Sequence, residues 1–238
     1  MCGRFTLSFF PDAEAQFEEL FGIPFPDVYY PPILGEFLPF RDITVLHRDE
    51  AERLACRPMF WGLIPYNART FQPERTWFNM RREKLQQPYC KHLLRRKRCV
   101  VPVTSFFENK KEGGKPVYAT AEIDGRRLRR KVSFEFRGKE EPLLALGGVF
   151  DVWQQDGEVK YSCSIITLPP NELIREIHDR MPLILPKERI PIWLDRRVDQ
   201  FDDVIQLVEP YPSDRLQRTQ VWPRPRPART EQGELFKT

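Results

Sequence analysis

Cysteine stands second in the chain, after Met1, where its small side chain permits removal of the initiator methionine. The Cys2 then left at the N-terminus carries two nucleophiles on adjacent carbons. They are an α-amine of pKa about 7.7 to 8.0 and a thiol of about 8.5, both partly deprotonated at neutral pH. An aldehyde is the natural reactant for such a pair: the amine forms a Schiff base, the thiol adds to the same carbon, and a five-membered thiazolidine closes that neither group makes alone. Position alone also fits a buried, inert cysteine. Three other residues have chemistry to offer. Glu108 closes Ser105-Phe106-Phe107-Glu108. A carboxyl beside two phenylalanines is a candidate for a raised pKa and proton transfer, or else a strand-end surface acid. His178 lies four residues after Ile174, on a helix that Asn171 can cap, which turns it to the apolar side; a histidine in a last helical turn also simply complements the helix dipole. Asn79, in Trp77-Phe78-Asn79-Met80-Arg81-Arg82-Glu83, offers an amide acceptor and donors, or is an ordinary strand-end asparagine.

The elements that must hold these residues are mostly strands. The chain of 238 residues is 41% hydrophobic with 18 Phe and 5 Trp, enough for a real core. Its 23 prolines argue against long helix bundles. Short β-rich runs are expected at Ile43 to Leu46, Leu54 to Ile64, Cys99 to Val103, Val117 to Ile123, Leu143 to Trp153 and Lys160 to Thr167. Gly113-Gly114, Asp124-Gly125 and Asp156-Gly157 mark hairpin turns. Helices are expected from an Asp12 cap to about Phe21, stopped by Gly22, and over Pro88 to Lys97, Asn171 to Asp179 and Gln200 to Val208. The resulting expectation is a single α+β domain over residues 1–222, a largely antiparallel curled sheet with short flanking helices. Past Val221, Trp-Pro-Arg-Pro-Arg-Pro-Ala-Arg favours an extended tail over 223–238.

No apolar run is long enough to span a bilayer and no signal peptide is evident, so a monomeric cytoplasmic protein without membrane contact is expected. The five cysteines and three histidines fit neither a disulfide framework nor paired zinc spacing; no metal and no cofactor are expected. Net charge is only +4, but Arg81 to Arg98 holds eight Lys/Arg against one acid. That run is either a solvated helix face or a nucleic-acid surface.

Taken in order, Met1-Cys2-Gly3-Arg4-Phe5, Trp61-Gly62-Leu63-Ile64-Pro65, Asn79 to Glu83, Arg98-Cys99-Val100-Val101-Pro102, Ser105 to Glu108, Ser164-Ile165-Ile166-Thr167 and Ile177-His178-Asp179-Arg180-Met181-Pro182 resemble the signatures of the SOS response-associated peptidase (SRAP) family, from residue 2 to about 195. The resemblance implies covalent crosslinking to abasic sites in single-stranded DNA, which shields the lesion from strand cleavage. It implies that Met1 is removed autoproteolytically or by an aminopeptidase and that Cys2 forms the crosslink. Asn79 would position the amine, Glu108 would transfer protons, and His178 would protonate the sugar oxygen. Arg4 and Arg81 would hold phosphates, Thr167 would stand at the site's rim, and Lys91 with Arg95 to Arg98 would add a basic field, unless Arg98 serves packing. The chain departs from the family pattern at Ser105 and Asn109 around the glutamate, at Met80, and at Tyr66-Asn67, where a tryptophan is usual. Lys110 to Glu141 is longer than the family's typical hairpin, and its Arg126 to Lys131 cluster either extends a DNA surface or solubilises an arm.

Two other functions compete. Met-Cys-Gly also opens N-terminal-nucleophile glutamine amidotransferases, although the expected Ile at position four and an oxyanion-hole Asn-Gly are not found. A non-catalytic single-stranded DNA binder would use the basic region with its aromatics. In the tail, Gln232, Leu235 and Phe236 resemble the Q-x-x-L-F peptide that docks bacterial partners on the replicative sliding clamp.

Overall fold

The computed structural model describes residues 3–8, 12–22, 34–71, 76–123 and 125–222. Five of its strands close on themselves. Asp42–Arg48 pairs with Leu54–Trp61 on one side and Arg98–Val103 on the other, and Arg98–Val103 pairs with Leu144–Gln155. Leu144–Gln155 then pairs with Glu158–Leu168, which returns to Leu54–Trp61. Closure buries both faces, so Arg98–Val103 is buried at every position rather than alternating. The ring turns tightly where Leu144–Gln155 passes from one partner to the next. There a Cβ on Gly148 would lie 2.7 Å from the Ser164 carbonyl, and one on Gly147 would lie 2.6 Å from Leu183, so only glycine permits the approach.

A second, antiparallel sheet lies outside the ring in the order Leu216–Val221, Ser133–Gly138, Ser105–Asn109, Phe5–Leu7, Gly35–Phe37. The chain passes directly from ring to outer sheet at Thr104, whose N–H donates to the Thr6 carbonyl at 2.8 Å. Thr6 Oγ1 meets Ser105 Oγ at 2.5 Å in the same crossing. Phe5 packs its ring 5.1 Å from Phe37 and 5.0 Å from Trp61, tying outer sheet to ring.

The expected α+β architecture is present, a curled and mostly antiparallel sheet with short helices. Glu158–Leu168 is the exception to antiparallel pairing: it runs parallel to both Leu54–Trp61 and Asn79–Arg81. The helix Ala13–Phe21 buries Ala13, Phe17 and Phe21, and Gly22 ends it at φ 71° with its N–H on the Glu18 carbonyl. Asp12 does not cap it as expected, because its backbone is left-handed and its side chain makes no cap hydrogen bond. Pro88–Arg96 starts on its proline as expected. Asn171 to Asp179 yields only Glu172–Arg175 followed by a turn, since the Ile177 carbonyl accepts from the Lys111 N–H instead of continuing a helix. Phe201–Ile205 is similarly short. Among the described residues, no helix is long and apolar enough to cross a membrane and no group of three or more His, Cys, Asp or Glu is arranged to hold a metal. The tail with Gln232, Leu235 and Phe236 lies outside the described residues.

Candidate active site

Along Ser105–Asn109, strand alternation puts Phe106 and Glu108 on one buried face and Phe107 on the other. Phe106 stacks on Phe136 at 5.1 Å. Glu108 thus follows an aromatic residue into the interior and is only 3% exposed. Burial pushes its carboxyl up to about 7, against the opposing pull of the Lys111 ammonium.

His178 reaches the same place from the ring side. Asn171 accepts the Ile174 N–H at 3.0 Å and donates its amide to the Tyr211 carbonyl at 2.8 Å. The Ile174 carbonyl in turn accepts from both Ile177 and His178 N–H at 2.8 Å. This short capped turn sets the imidazole inside, with Nε2 3.7 Å from a Glu108 carboxylate oxygen. Burial pushes the ring down to about 4, so it is neutral near pH 7. The Arg180 N–H donates to Nδ1 at 3.0 Å, and Asp179 Oδ1 stands 3.0 Å from the same nitrogen. With Nδ1 accepting from that N–H, the neutral ring carries its proton on Nε2, facing Glu108; in the other tautomer Nδ1–H would donate to Asp179 Oδ1 or to the Arg180 carbonyl 3.3 Å away. The separation exceeds a hydrogen bond in this state, and a reactant bound between the two groups would shorten it. A carboxyl near its midpoint at neutral pH beside a neutral imidazole is an acid and base pair with opposite displacements.

Two residues that the sequence reading did not single out hold this arrangement. Arg180 clamps Glu83 with two bonds, 2.7 and 2.5 Å, across 97 positions of sequence. The pairing holds the Glu83 carboxyl down to about 2. Glu83 closes the Asn79 to Glu83 segment and Arg180 belongs to the His178 segment, so the clamp fixes one against the other. Lys111 adds a third tie, its Nζ 3.5 Å from Asp179. The opposite charges at Glu83 and Arg180 are visible in the sequence; that they meet is not.

Asn79 sits on Asn79–Arg81, opposite Ile165, while Arg81 pairs with Thr167. On its other side Thr167 pairs with Pro182, four residues after His178. Flanked on both sides, Thr167 is fully buried rather than at a rim, and its hydroxyl finds no hydrogen-bond partner among the described residues. Arg81 is exposed at its strand end. Arg4 lies with its guanidinium 3.8 Å over the Phe107 ring and 3.9 Å from Glu36. Cys2 lies outside the described residues. The other four cysteines are free thiols, three buried and Cys56 half-buried, and burial pushes Cys56 up to about 12 and Cys90, Cys99 and Cys163 upward as well. None of these four is poised as a thiolate.

The basic run from Arg81 to Arg98 is largely occupied within the protein. Arg98 is buried and donates to the carbonyls of Leu94, Arg95, Trp193, Asp195 and Val198, and burial pushes its guanidinium down to about 10. Its role is packing, which resolves that alternative. Arg95 and Arg96 both reach Asp199, at 3.8 and 2.5 Å. Lys97 reaches the fully buried Asp151 at 2.5 Å, alongside Tyr89 O–H and the Tyr66 N–H. Lys91 is exposed, with its ammonium 4.7 Å over Phe201. Each cation from Arg95 to Arg98 thus makes a tie within the protein; Arg98 is withdrawn from solvent, while Arg95 and Arg96 keep 36% and 45% of their side chains exposed.

Comparison with known proteins places this geometry. The chain is 33% identical over 225 residues to the abasic site processing protein YoqW of Bacillus subtilis, covering 93% of this chain and 92% of that one. It is 32% identical over 182 residues to the abasic site processing protein HMCES of Gallus gallus, covering 68% of this chain and 51% of that longer protein. Crystal structures of proteins from Bacteroides thetaiotaomicron and Bordetella bronchiseptica each superpose with a TM-score of 0.71 at 20% identity, covering 92% of this chain and 92% and 99% of theirs, and share the fold. The family profile described as SOS response associated peptidase (SRAP) matches residues 1–224. With that match spanning both sheets and every segment that builds the Glu108–His178 site, the chain belongs to the SRAP family.

Proposed function

We propose that this protein captures abasic sites in single-stranded DNA covalently through Cys2, after removal of Met1. The observation that carries the reading is the buried Glu108–His178 pair, 3.7 Å apart with the carboxyl raised to about 7 and the imidazole lowered to about 4. The N-terminal strand supports it: Phe5 pairs with Phe106 and the Arg4 carbonyl accepts from the Phe107 N–H at 2.9 Å, so the chain leading back to Cys2 runs toward Glu108. The relatives named as abasic site processing proteins support the substrate.

In this mechanism the ring oxygen of the abasic sugar takes the His178 Nε2 proton as the C1 to oxygen bond breaks, while the C1 hydroxyl gives its proton to the imidazole in exchange, freeing the aldehyde and leaving the imidazole neutral. The α-amine of Cys2 attacks that carbon. Protonated Glu108 gives its proton to the hydroxyl of the carbinolamine, which leaves as water, and the resulting carboxylate takes the nitrogen's proton as the C=N bond forms. The Cys2 sulfur then bonds the same carbon while its proton passes to nitrogen, closing the thiazolidine with one water lost overall. Because the closed ring contains no imine, it blocks the β-elimination that breaks the strand. Asn79 orients the amine, and Arg4, Arg81 and Lys91 face phosphates, which give hold without reading sequence. The same function would be served by a tail, 223–238, that docks on a sliding clamp through Gln232, Leu235 and Phe236.

Denaturing electrophoresis of the purified protein with a uracil-excised oligonucleotide tests the reading. Wild type should give a stable, slower-migrating product and Cys2→Ala none. Cys2→Ser should give only a borohydride-trappable imine. Undiminished crosslinking by Cys2→Ala would refute it.

A further inference from the structure

The chain leaves the outer sheet at Asn109 and returns beside it at Ser133, with Asn109 and Ser133 paired and their side chains joined at 2.6 Å. Everything between them is an arm rooted one residue from Glu108. Its base is a triangle of backbone bonds: Lys110 N–H to the Val132 carbonyl, Val132 N–H to Val117, and Val117 N–H to Lys110, each 2.8 to 2.9 Å. Its outer part is the hairpin Tyr118–Ile123 with Arg126–Lys131, six residues a side and so about 20 Å long.

Register sorts the hairpin's side chains. Tyr118 faces Lys131, Thr120 faces Arg129 and Glu122 faces Arg127, and all six are exposed. The opposite face carries Ala119, Ala121, Ile123, Leu128 and Arg130, all buried or half-buried, with Arg126 exposed at its tip. One side of the hairpin is thus covered, and the other presents three cations against one carboxylate, with Arg129 lying 5.3 Å over the Tyr118 ring. Among the described residues no carboxylate comes within ion-pair distance of Arg127, Arg129 or Lys131, whereas Arg95, Arg96 and Lys97 are all paired. Three cations without a carboxylate partner are therefore gathered on the arm, whereas the helix Pro88–Arg96 keeps one among its described residues, Lys91.

We propose that this face is a second nucleic-acid surface, holding the phosphate backbone of the single strand as it continues away from the Glu108–His178 site, with Tyr118 as a ring on which an unstacked base lies. The proposal rests on the abasic-DNA reading of the site only for which strand is held. Spacing supports it: three cations on alternate residues, about 7 Å apart and spanning about 13 Å, lie along a length that several backbone charges occupy. An aromatic ring among cations is the combination that binds single strands without sequence preference.

The test is fluorescence anisotropy with undamaged oligo-dT of about 10 and about 30 nucleotides, comparing full-length wild type with Arg127→Glu/Arg129→Glu/Lys131→Glu and with the milder Arg127→Gln/Arg129→Gln/Lys131→Gln. All three replaced side chains are solvent-facing, and matched near-ultraviolet spectra check folding. On the long strand the Glu variant should bind at least ~10-fold more weakly at 100 mM salt, the Gln variant in between. The slope of log affinity against log salt should become shallower by about 2 when three phosphates are no longer neutralised. On the short strand, all three proteins should bind alike. Equal affinity and slope on the long strand would overturn the proposal, as would an equal loss on both lengths or a larger loss on a 30-base-pair duplex. Since undamaged DNA is used, a wild type that binds through the arm yet fails to crosslink would refute the proposed function and leave the arm standing.

Discussion

Replacing Glu108 by Gln should stabilise the fold at alkaline pH while removing the acid that the proposed reaction uses. An unfolded glutamate ionises near 4.5; in the folded chain the same carboxyl ionises at about 7, because its charge is buried. Above pH 7 the carboxyl is ionised in both states, and the folded state alone bears the desolvation. At about 1.4 kcal/mol per pH unit, the interval from 4.5 to about 7 amounts to roughly 3 kcal/mol against folding. The sign follows from proton binding. A raised carboxyl means the native state holds its proton more tightly, so wild type recovers this stability as pH falls from about 7 to 4.5, and below 4.5 the two forms are both neutral. The glutamine of the variant would have no charge to bury at any pH, and its amide retains an acceptor where the carboxylate had one. The gap between variant and wild type should therefore approach roughly 3 kcal/mol at about pH 8.5 and vanish near pH 4.5. Urea unfolding across this range measures it: with a slope of about 3 kcal/mol/M, the midpoint of the variant should be higher by about 1 M at about pH 8.5. A gap that does not change with pH, or a variant less stable at alkaline pH, would refute the reasoning, for then the carboxyl is not held in its neutral form by burial. Crosslinking by the same variant should fall sharply and lose the pH limb near 7.

Further outcomes follow from the surrounding ties. Arg180→Lys replaces a two-bond clamp on Glu83 with a single point charge; at this partly exposed pair stability should change by no more than about 1 kcal/mol, while crosslinking slows at least ~10-fold, as read by single-turnover gels. Asp151→Asn removes the buried charge that pairs with Lys97 and accepts from Tyr89 and Tyr66, and should cost about 3 kcal/mol or more by urea unfolding. Arg98→Gln cannot reach all five of its carbonyls and should destabilise by about 2 kcal/mol, yet leave the salt slope of DNA binding unchanged although a charge is lost. A shallower slope would return Arg98 to the DNA surface.

Residue chemistry and order alone determined much of this protein. Five of the six β-rich runs became the closed ring, and Val117 to Ile123 became the arm hairpin, because apolar alternation and continuous apolar stretches are local properties, readable without partners. Glu108 was legible as a candidate acid from Phe106 and Phe107 beside it, and His178 from its distance to Ile174 and Asn171. The outer sheet was less legible: Phe5–Leu7 and Gly35–Phe37 are three-residue strands, too short for a period to show. Asp12 looked like a helix cap because aspartate is a good one, but its own backbone geometry overrode the preference. Only the tertiary structure decided which charges are free. In sequence, Arg95 to Arg98 reads as a basic field or a solvated helix face, and Arg126 to Lys131 as a DNA surface or a solubilised arm, with nothing to separate the alternatives. In space the first run meets Asp199, Asp151 and five carbonyls, and the second meets none of them. Ion pairing joins residues tens to a hundred positions apart, and the Glu83–Arg180 clamp does the same. No local pattern encodes such meetings, because they are set by which strands close the ring and where the chain crosses between sheets.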